Sequence, residues 1–248
     1  MISFSKNDWD TLFFGYPVAS AQLDDPATLL ADTRDALERA TQSGFRLLYL
    51  FLPWMDHAVR RAILNEGVCA VGGRVHYAKA IPPFGNIDSA PPIIRCRVHS
   101  AALERLALQS GEYSRYRIDA GFRNGEFERL YREWISSSLE GKDGKCIYVA
   151  GAPDQPTGMM TLEPGLSVRI GLFAVAPEQR RQGIGRKLIA YAEQFCVRHH
   201  AQELRVATPT QNQGARRFYE SCGFKQVREE CIFHAWLPIR DKPNIQPD

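Results

Sequence analysis

Three groups of residues are of types and at spacings that could do chemistry. The first is the basic, glycine-bearing turn Arg180-Arg181-Gln182-Gly183-Ile184-Gly185-Arg186. It follows an apolar run, Ile170–Val175, and opens a stretch in which Ile184, Leu188, Ile189, Ala192, Phe195 and Cys196 share one helical face. A strand, such a turn and a helix make an anion site. The first N–H groups of the helix have no internal partner, and the macrodipole places partial positive charge there. Gly183 and Gly185 let an anion approach the backbone with no Cβ in the way. The second group is Tyr219, near the end of another helical stretch, which taken alone reads as a core-edge tyrosine. The third is Tyr113-Ser-Arg115-Tyr116-Arg117 with Arg123 beyond it, whose cations suit an anionic ligand or equally a solvated face.

Two nucleotide-binding patterns fail at the turn. A P-loop needs Lys-Ser/Thr after its second glycine, and here Gly185 is followed by Arg186-Lys-Leu188. A dinucleotide fold needs a third glycine where this chain has Leu188. Arg180-Arg-Gln-Gly-Ile-Gly185, entered from Val175-Ala-Pro-Glu, instead resembles the acetyl-CoA-binding signature of the GNAT (general-control-type N-acetyltransferase) superfamily. Downstream, Leu204–Thr208 reads as a short strand. Asn212-x-x-Ala215-x-x-x-Tyr219-x-x-x-Gly223-Phe224 is the usual continuation in that superfamily. Asn212 is a good N-cap, Ala215, Phe218 and Cys222 give a packed side, and Gly223 ends the helix left-handed.

The resemblance implies transfer of acetyl from CoA to a primary amine. Acetyl-CoA would be held by Phe173, Ala174, Val175, Arg180, Arg181, Gln182, Gly183, Ile184, Gly185, Arg186 and Asn212, the strand end near Val175 supplying the N–H donor for the thioester oxygen. Tyr219 would be the general acid, since a phenol of pKa about 10 is near an alkyl thiol. The base is open among His76, Glu163 and Asp119, each of which also reads as structural or solvated, and water alone could serve. A narrower resemblance, to acetyltransferases of dTDP-4-amino-4,6-dideoxygalactose (TDP-fucosamine), is carried by Trp9, Leu12-Phe-Phe-Gly15, Tyr113-Ser-Arg-Tyr116, the Phe127–Ile135 helix, Arg169-Ile-Gly-Leu172 and Leu204-Arg-Val-Ala-Thr208. It implies a nucleotide sugar as the small-molecule amine acceptor, in surface-polysaccharide synthesis, with Arg115, Tyr116 and Arg117 beside it. The alternatives are a protein or peptide amine, another small amine, or a CoA sensor without catalysis. A homodimer is one possible assembly.

The elements that must position these residues follow from periodicity. Helices are expected from Asp25 to Gly44, Met55 to Glu66, Ser100 to Gly111 and after Asn124, and strands at Phe45–Leu52 and Ile93–Val98, with Val68–Ile81 a strand or a hairpin broken at Gly72-Gly73. Glu112–Asp119 reads as a loop. Cys146–Ala150, Thr157–Leu162 and Ser167–Val175 read as an antiparallel meander, with Phe224–Arg228 and Ile232–Leu237 as a closing hairpin. Paired prolines at Pro82-Pro83 and Pro91-Pro92 mark a linker. The expected organisation is an N-terminal α/β domain at 1–81, linker 82–92, an acetyltransferase domain at 93–238 and a tail at 239–248. The fold class is α/β (α+β), a mixed, mostly antiparallel twisted sheet flanked by helices.

Composition bounds the rest. A net charge of +3 over 248 residues argues against nucleic acid as partner. The six cysteines show no Cys-x-x-Cys and no histidine at zinc spacing, so no metal is expected and buried free thiols in a reducing cytoplasm are. The N-terminus has no apolar signal-like core, and the apolar run Phe45–Trp54, interrupted by Arg46, is too short to span a bilayer.

Overall fold

The computed structural model describes residues 2–82 and 93–238, so the proline-rich linker (but for Pro82) and the tail at 239–248 lie outside the described residues. The described residues form two compact units, one of residues 2–74, 118–121 and 229–238, the other of 75–82, 93–117 and 122–228. The division falls between Arg74 and Val75, and the chain returns to the first unit at its C-terminal end. In the first unit Leu47–Pro53 pairs with the distant strand Glu230–Trp236, a pairing that local composition cannot show.

In the first unit, β1 (Ile2–Lys6), β2 (Val18–Leu23), β3 (Leu47–Pro53) and the C-terminal part of β10 (Lys225–Trp236) lie in that order. β1 pairs antiparallel with β2, β2 parallel with β3, and β3 antiparallel with β10. Leu47-Leu-Tyr-Leu-Phe-Leu is apolar on both sides because a central strand is covered on both faces. The crossover from β2 to β3 is α2 (Leu29–Gln42), whose Leu29, Thr33, Ala36 and Ala40 form the buried stripe. Asp56 caps α3 (His57–Leu64), accepting from the N–H groups of Ala58 and Val59. The aromatic opening forms a short helix, α1 (Asp8–Phe14), ended by Gly15 at φ +77°.

The second unit holds the C-terminal part of β4 (Cys69–Ala80), then β9 (Glu203–Pro209), β8 (Val168–Val175), β7 (Gln155–Glu163), β6 (Cys146–Ala152) and β5 (Ile93–Cys96), in that spatial order. β5 to β8 are antiparallel, and β8–β9 is parallel. The period of two divides the core. Tyr148, Ala150, Met160 and Leu162 face α7 (Ile184–Arg198), whereas Ile147, Val149 and Met159 face α4 (Ala101–Ser110) and α6 (Glu126–Glu140). This is the mixed, mostly antiparallel sheet with flanking helices that the sequence leads one to expect.

Three readings change. β4 runs unbroken through Gly72-Gly73, β10 is one strand of 12 residues instead of a hairpin, and Arg115–Ile118 is a helical turn (α5) instead of a loop. Residues Glu230–Trp236 of β10 pair with Pro53–Leu47 of β3, a long-range partner that carries the strand through the local polar break at Glu229-Glu230.

Candidate active site

The site is built from the end of β8, the turn after it, α7, and α8 (Gln213–Ser221). β8 and β9 are in register at Val168↔Leu204, Arg169↔Arg205 and Ile170↔Val206, and β8 then continues to Val175. The two strands therefore part beyond Ile170, leaving the Gly171–Val175 edge open on the β9 side. A register shift opposite Thr161 helps: its hydroxyl accepts the Leu172 N–H at 2.8 Å, and a Cβ on Gly171 would lie 2.6 Å from that oxygen. Only glycine fits there.

The turn is held by its own backbone. Ala176 N–H donates to Thr157 O at 2.9 Å, Pro177–Gln179 forms a short 3-10 turn, and Arg180 Nε donates to Val175 O at 3.3 Å. Arg181 has φ +65° and Gly183 φ +78°, both left-handed, and a non-glycine residue there costs about 1 kcal/mol or more. The first bond of α7 runs from Lys187 N–H to Gly183 O, so the N–H groups of Ile184, Gly185 and Arg186 have no intrahelical acceptor. Residues 180–183 are exposed, and a Cβ added to Gly183 would meet nothing within 4 Å. The start of α7 thus presents free N–H groups at an exposed turn.

At Gly185 an added Cβ would lie 3.0 Å from Phe218 Cζ, so its missing side chain also admits the Phe218 ring of α8. Likewise the Arg186 guanidinium donates to Ser221 O (3.2 Å) and Ser221 Oγ (3.1 Å), tying α7 to the end of α8. Asn212 acts as the N-cap of α8, its Oδ1 accepting from Ala215 N–H at 3.0 Å. Gly223, at φ +84°, ends that helix as expected.

Tyr219 is buried, 4% exposed, within a ring of aromatics. Its centroid is 6.0 Å from Phe173 on β8, 5.7 Å from Phe224 and 6.1 Å from Tyr77 on β4. Burial pushes its phenol well above the ordinary tyrosine value, with the nearby Cys222 adding to the rise.

Gln109, on α4, was not legible as part of the site. Its Nε2 donates to Val175 O at 2.9 Å and fixes the strand end. Phe173 and Val175 are partly buried, and Ala174 is buried in the core shared with α4. Of the candidate bases, Glu163 is paired with Lys145 at 3.2 Å and with Arg169. Asp119 is in the first unit, where it accepts from Trp236 Nε1 (2.9 Å) and Gly121 N–H (2.8 Å) and bonds His234 Nδ1 (2.6 Å). Burial raises its carboxyl, but these bonds outweigh that and hold it below the ordinary aspartate value. His76 is half-buried on β4. His199 ends α7 with its ring stacked on Phe195 at 4.0 Å.

The arginine-bearing segment also takes definite form. The Arg115 guanidinium lies 4.7 Å over the Tyr116 ring and donates to its hydroxyl at 2.6 Å, and Tyr116 is buried, 8% exposed. Tyr116 packs against Phe122 and Trp134 and also lines the recess beside Arg117 and Arg123. The Arg117 guanidinium is stacked 5.5 Å over Phe127. Together Arg117, Phe122, Arg123, Glu126 and Glu128 line a recess of about 350 Å³, at the small end for a ligand site. No helix among the described residues is long and apolar enough to cross a membrane, and no group of three or more His, Cys, Asp or Glu among them could hold a metal ion.

Residues 107–224 match the model of the acetyltransferase (GNAT) family. A stretch of 117 residues is 32% identical to N-alpha-acetyltransferase 30 of Saccharomyces cerevisiae, covering 45% of this chain and 63% of that protein. Two solved structures are similar over most of both chains. One is a functionally unknown conserved protein from Staphylococcus epidermidis ATCC 12228, with TM-score 0.60, 15% identity, and 90% of this chain and 85% of that one covered. The other is a GCN5-related N-acetyltransferase from Kribbella flavida, with TM-score 0.53, 16% identity, and 93% and 86% covered. At such identity these structures establish the fold.

Proposed function

We propose, from the premise that residues 107–224 form an acetyltransferase domain of the GNAT type, that this protein transfers acetyl from acetyl-CoA to a primary amine. The observation that carries the reading is the parting of β8 from β9 beside the open N-terminus of α7, with Tyr219 buried behind Phe173 at that opening. Acetyl-CoA, when bound, supplies an activated thioester. The N–H groups at the start of α7 hold its pyrophosphate, and Arg180 and Arg181 add charge. The Gly171–Val175 edge, steadied by Gln109, offers backbone N–H groups to the acetyl oxygen. Tyr219 keeps its proton across the working pH range and delivers it to the departing sulfur. The cleft walls of Phe173, Phe218 and Phe224 exclude water from that sulfur.

For the acceptor, the reading is a nucleotide-activated amino sugar, a dTDP-4-amino-4,6-dideoxyhexose acetylated on its 4-amine. It is supported by the recess with Arg117 and Arg123 on its wall, since a guanidinium stacked on an aromatic ring still presents in-plane donors to a phosphate. The second reading is a peptide N-terminus. It is favoured by the likeness to a yeast N-alpha-acetyltransferase and by Glu126 and Glu128 on the same wall, which suit a cationic acceptor. Thiol release from acetyl-CoA, measured with dTDP-4-amino sugars, free amino sugars and N-terminal peptides, separates them. Fastest turnover of a sugar nucleotide supports the first reading. Peptide turnover far above every sugar replaces it with the second.

A further inference from the structure

Strand β4 lies outside the residues matched to the family, yet two of its side chains hold the helix that carries Tyr219. Tyr77 and Lys79 are two apart, so they stand on one face of the strand. The Tyr77 side chain is fully buried, and its hydroxyl donates to Glu220 Oε1 at 2.8 Å, while the Arg216 guanidinium also bonds that phenol. Arg216 and Glu220 are one turn apart on α8. Lys79 Nζ donates to the carbonyl of Cys222 at 2.8 Å and pairs with Glu193 of α7 at 2.6 Å. α8 has only nine residues and could not keep its shape unaided. Its first turn is held by the Asn212 cap, and its last by Lys79, Tyr77 and Arg186.

We propose that Tyr77 is a positioning residue for Tyr219. Its bond to Glu220 and its ring contact fix the last turn of α8, and with it the Tyr219 hydroxyl, against the open end of β8, with Lys79 as the second tether. The inference rests on the reading of Tyr219 as the acid. Tyr77→Phe keeps the ring, the volume and the contact with Tyr219, and removes only the hydroxyl that fastens α8.

The test is a two-by-two comparison of wild type, Tyr77→Phe, Tyr219→Phe and the double variant. Steady-state kinetics would use acetyl-CoA and the fastest acceptor among the dTDP-4-amino sugars and peptides. Amide exchange over residues 213–224 would be followed in the protein without ligand. Tyr77→Phe is expected to lower kcat about 10-fold with KM for acetyl-CoA within twofold, and to speed exchange in the last turn of α8. In the Tyr219→Phe background it should cost nothing further, because the group it positions is gone. Glu220→Ala, at an exposed position, should repeat the result if Tyr77→Phe does not fold. Unchanged kcat or unchanged exchange in Tyr77→Phe, or an equal fold-loss in both backgrounds, overturns the proposal. If Tyr219→Phe alone leaves kcat intact, the reading of the acid fails first, which that single variant reports by itself.

Discussion

Gly183→Asp places one negative charge in the cradle at the start of α7, and the structure allows its effects on folding and on binding to be separated. Gly183 sits at φ +78°, where a residue with a Cβ costs about 1–2 kcal/mol, although aspartate tolerates this region better than most. A Cβ there meets nothing within 4 Å, so no clash is added. A carboxylate at a helix N-terminus regains about 0.3–1 kcal/mol. The net cost is about 1 kcal/mol, a fall in Tm of roughly 2–4 °C for a chain of this size. Binding should suffer far more. One unit of charge repulsion at about 4 Å and an effective dielectric near 20 is about 4 kcal/mol. Screening at this exposed turn removes roughly half, leaving about 2 kcal/mol, or about 30-fold in Kd. Calorimetric titration with CoA measures it, with Gly183→Ala as the uncharged control expected to stay within a few-fold of wild type. A folded Gly183→Asp protein with wild-type affinity would refute the assignment of the anion site.

Two further predictions concern stability. Asp119→Asn weakens a buried cluster with His234, Trp236 and the Gly121 N–H, and should lower stability by about 2–4 kcal/mol in thermal or urea unfolding; a change within error would show the cluster to be incidental. On the alkaline side, burial raises Tyr131 and Tyr148 to about 12 from 10.0, Cys196 to about 12 from 9.0, and Tyr219 higher still. The native state therefore holds protons that the unfolded chain releases. This stabilisation is complete below pH 9 and falls as pH rises, by up to about 1.4 kcal/mol per pH unit for each group. Tm should drop steadily from about pH 9 upward, and a Tm flat to pH 11 would contradict the burial.

The catalytic half of the fold is legible in sequence because its signals are local. The apolar run at Ile170–Val175, the Gly183 turn, the helical face from Ile184 to Cys196 and the Asn212-to-Gly223 frame each lie within one element and its caps. What was not legible depends on pairing across the chain. Glu229-Glu230 looks like a turn until Glu230 is seen to pair with Pro53 of β3, its buried carboxylate meeting the partly exposed Arg74 guanidinium. Gly72-Gly73 looks like a break but lies inside β4. That Gly185 packs on Phe218 and that the Arg186 guanidinium reaches Ser221 is visible only in the packed structure. Gln109, Tyr77 and Lys79 carry no motif, since their value is the carbonyl or carboxylate each reaches.

Tyr219 is the proposed proton donor at the mouth between β8 and β9. Tyr219→Phe preserves the buried ring and its contacts with Phe173, Phe224 and Tyr77, so packing and CoA affinity should be nearly unchanged. The measurement is single-turnover acetyl transfer from acetyl-CoA by wild type and Tyr219→Phe, which isolates the chemical step from product release. The account predicts a fall of roughly 10²-fold in that rate with Kd for CoA within twofold. A rate within twofold of wild type would contradict it and leave Tyr219 as a packed tyrosine.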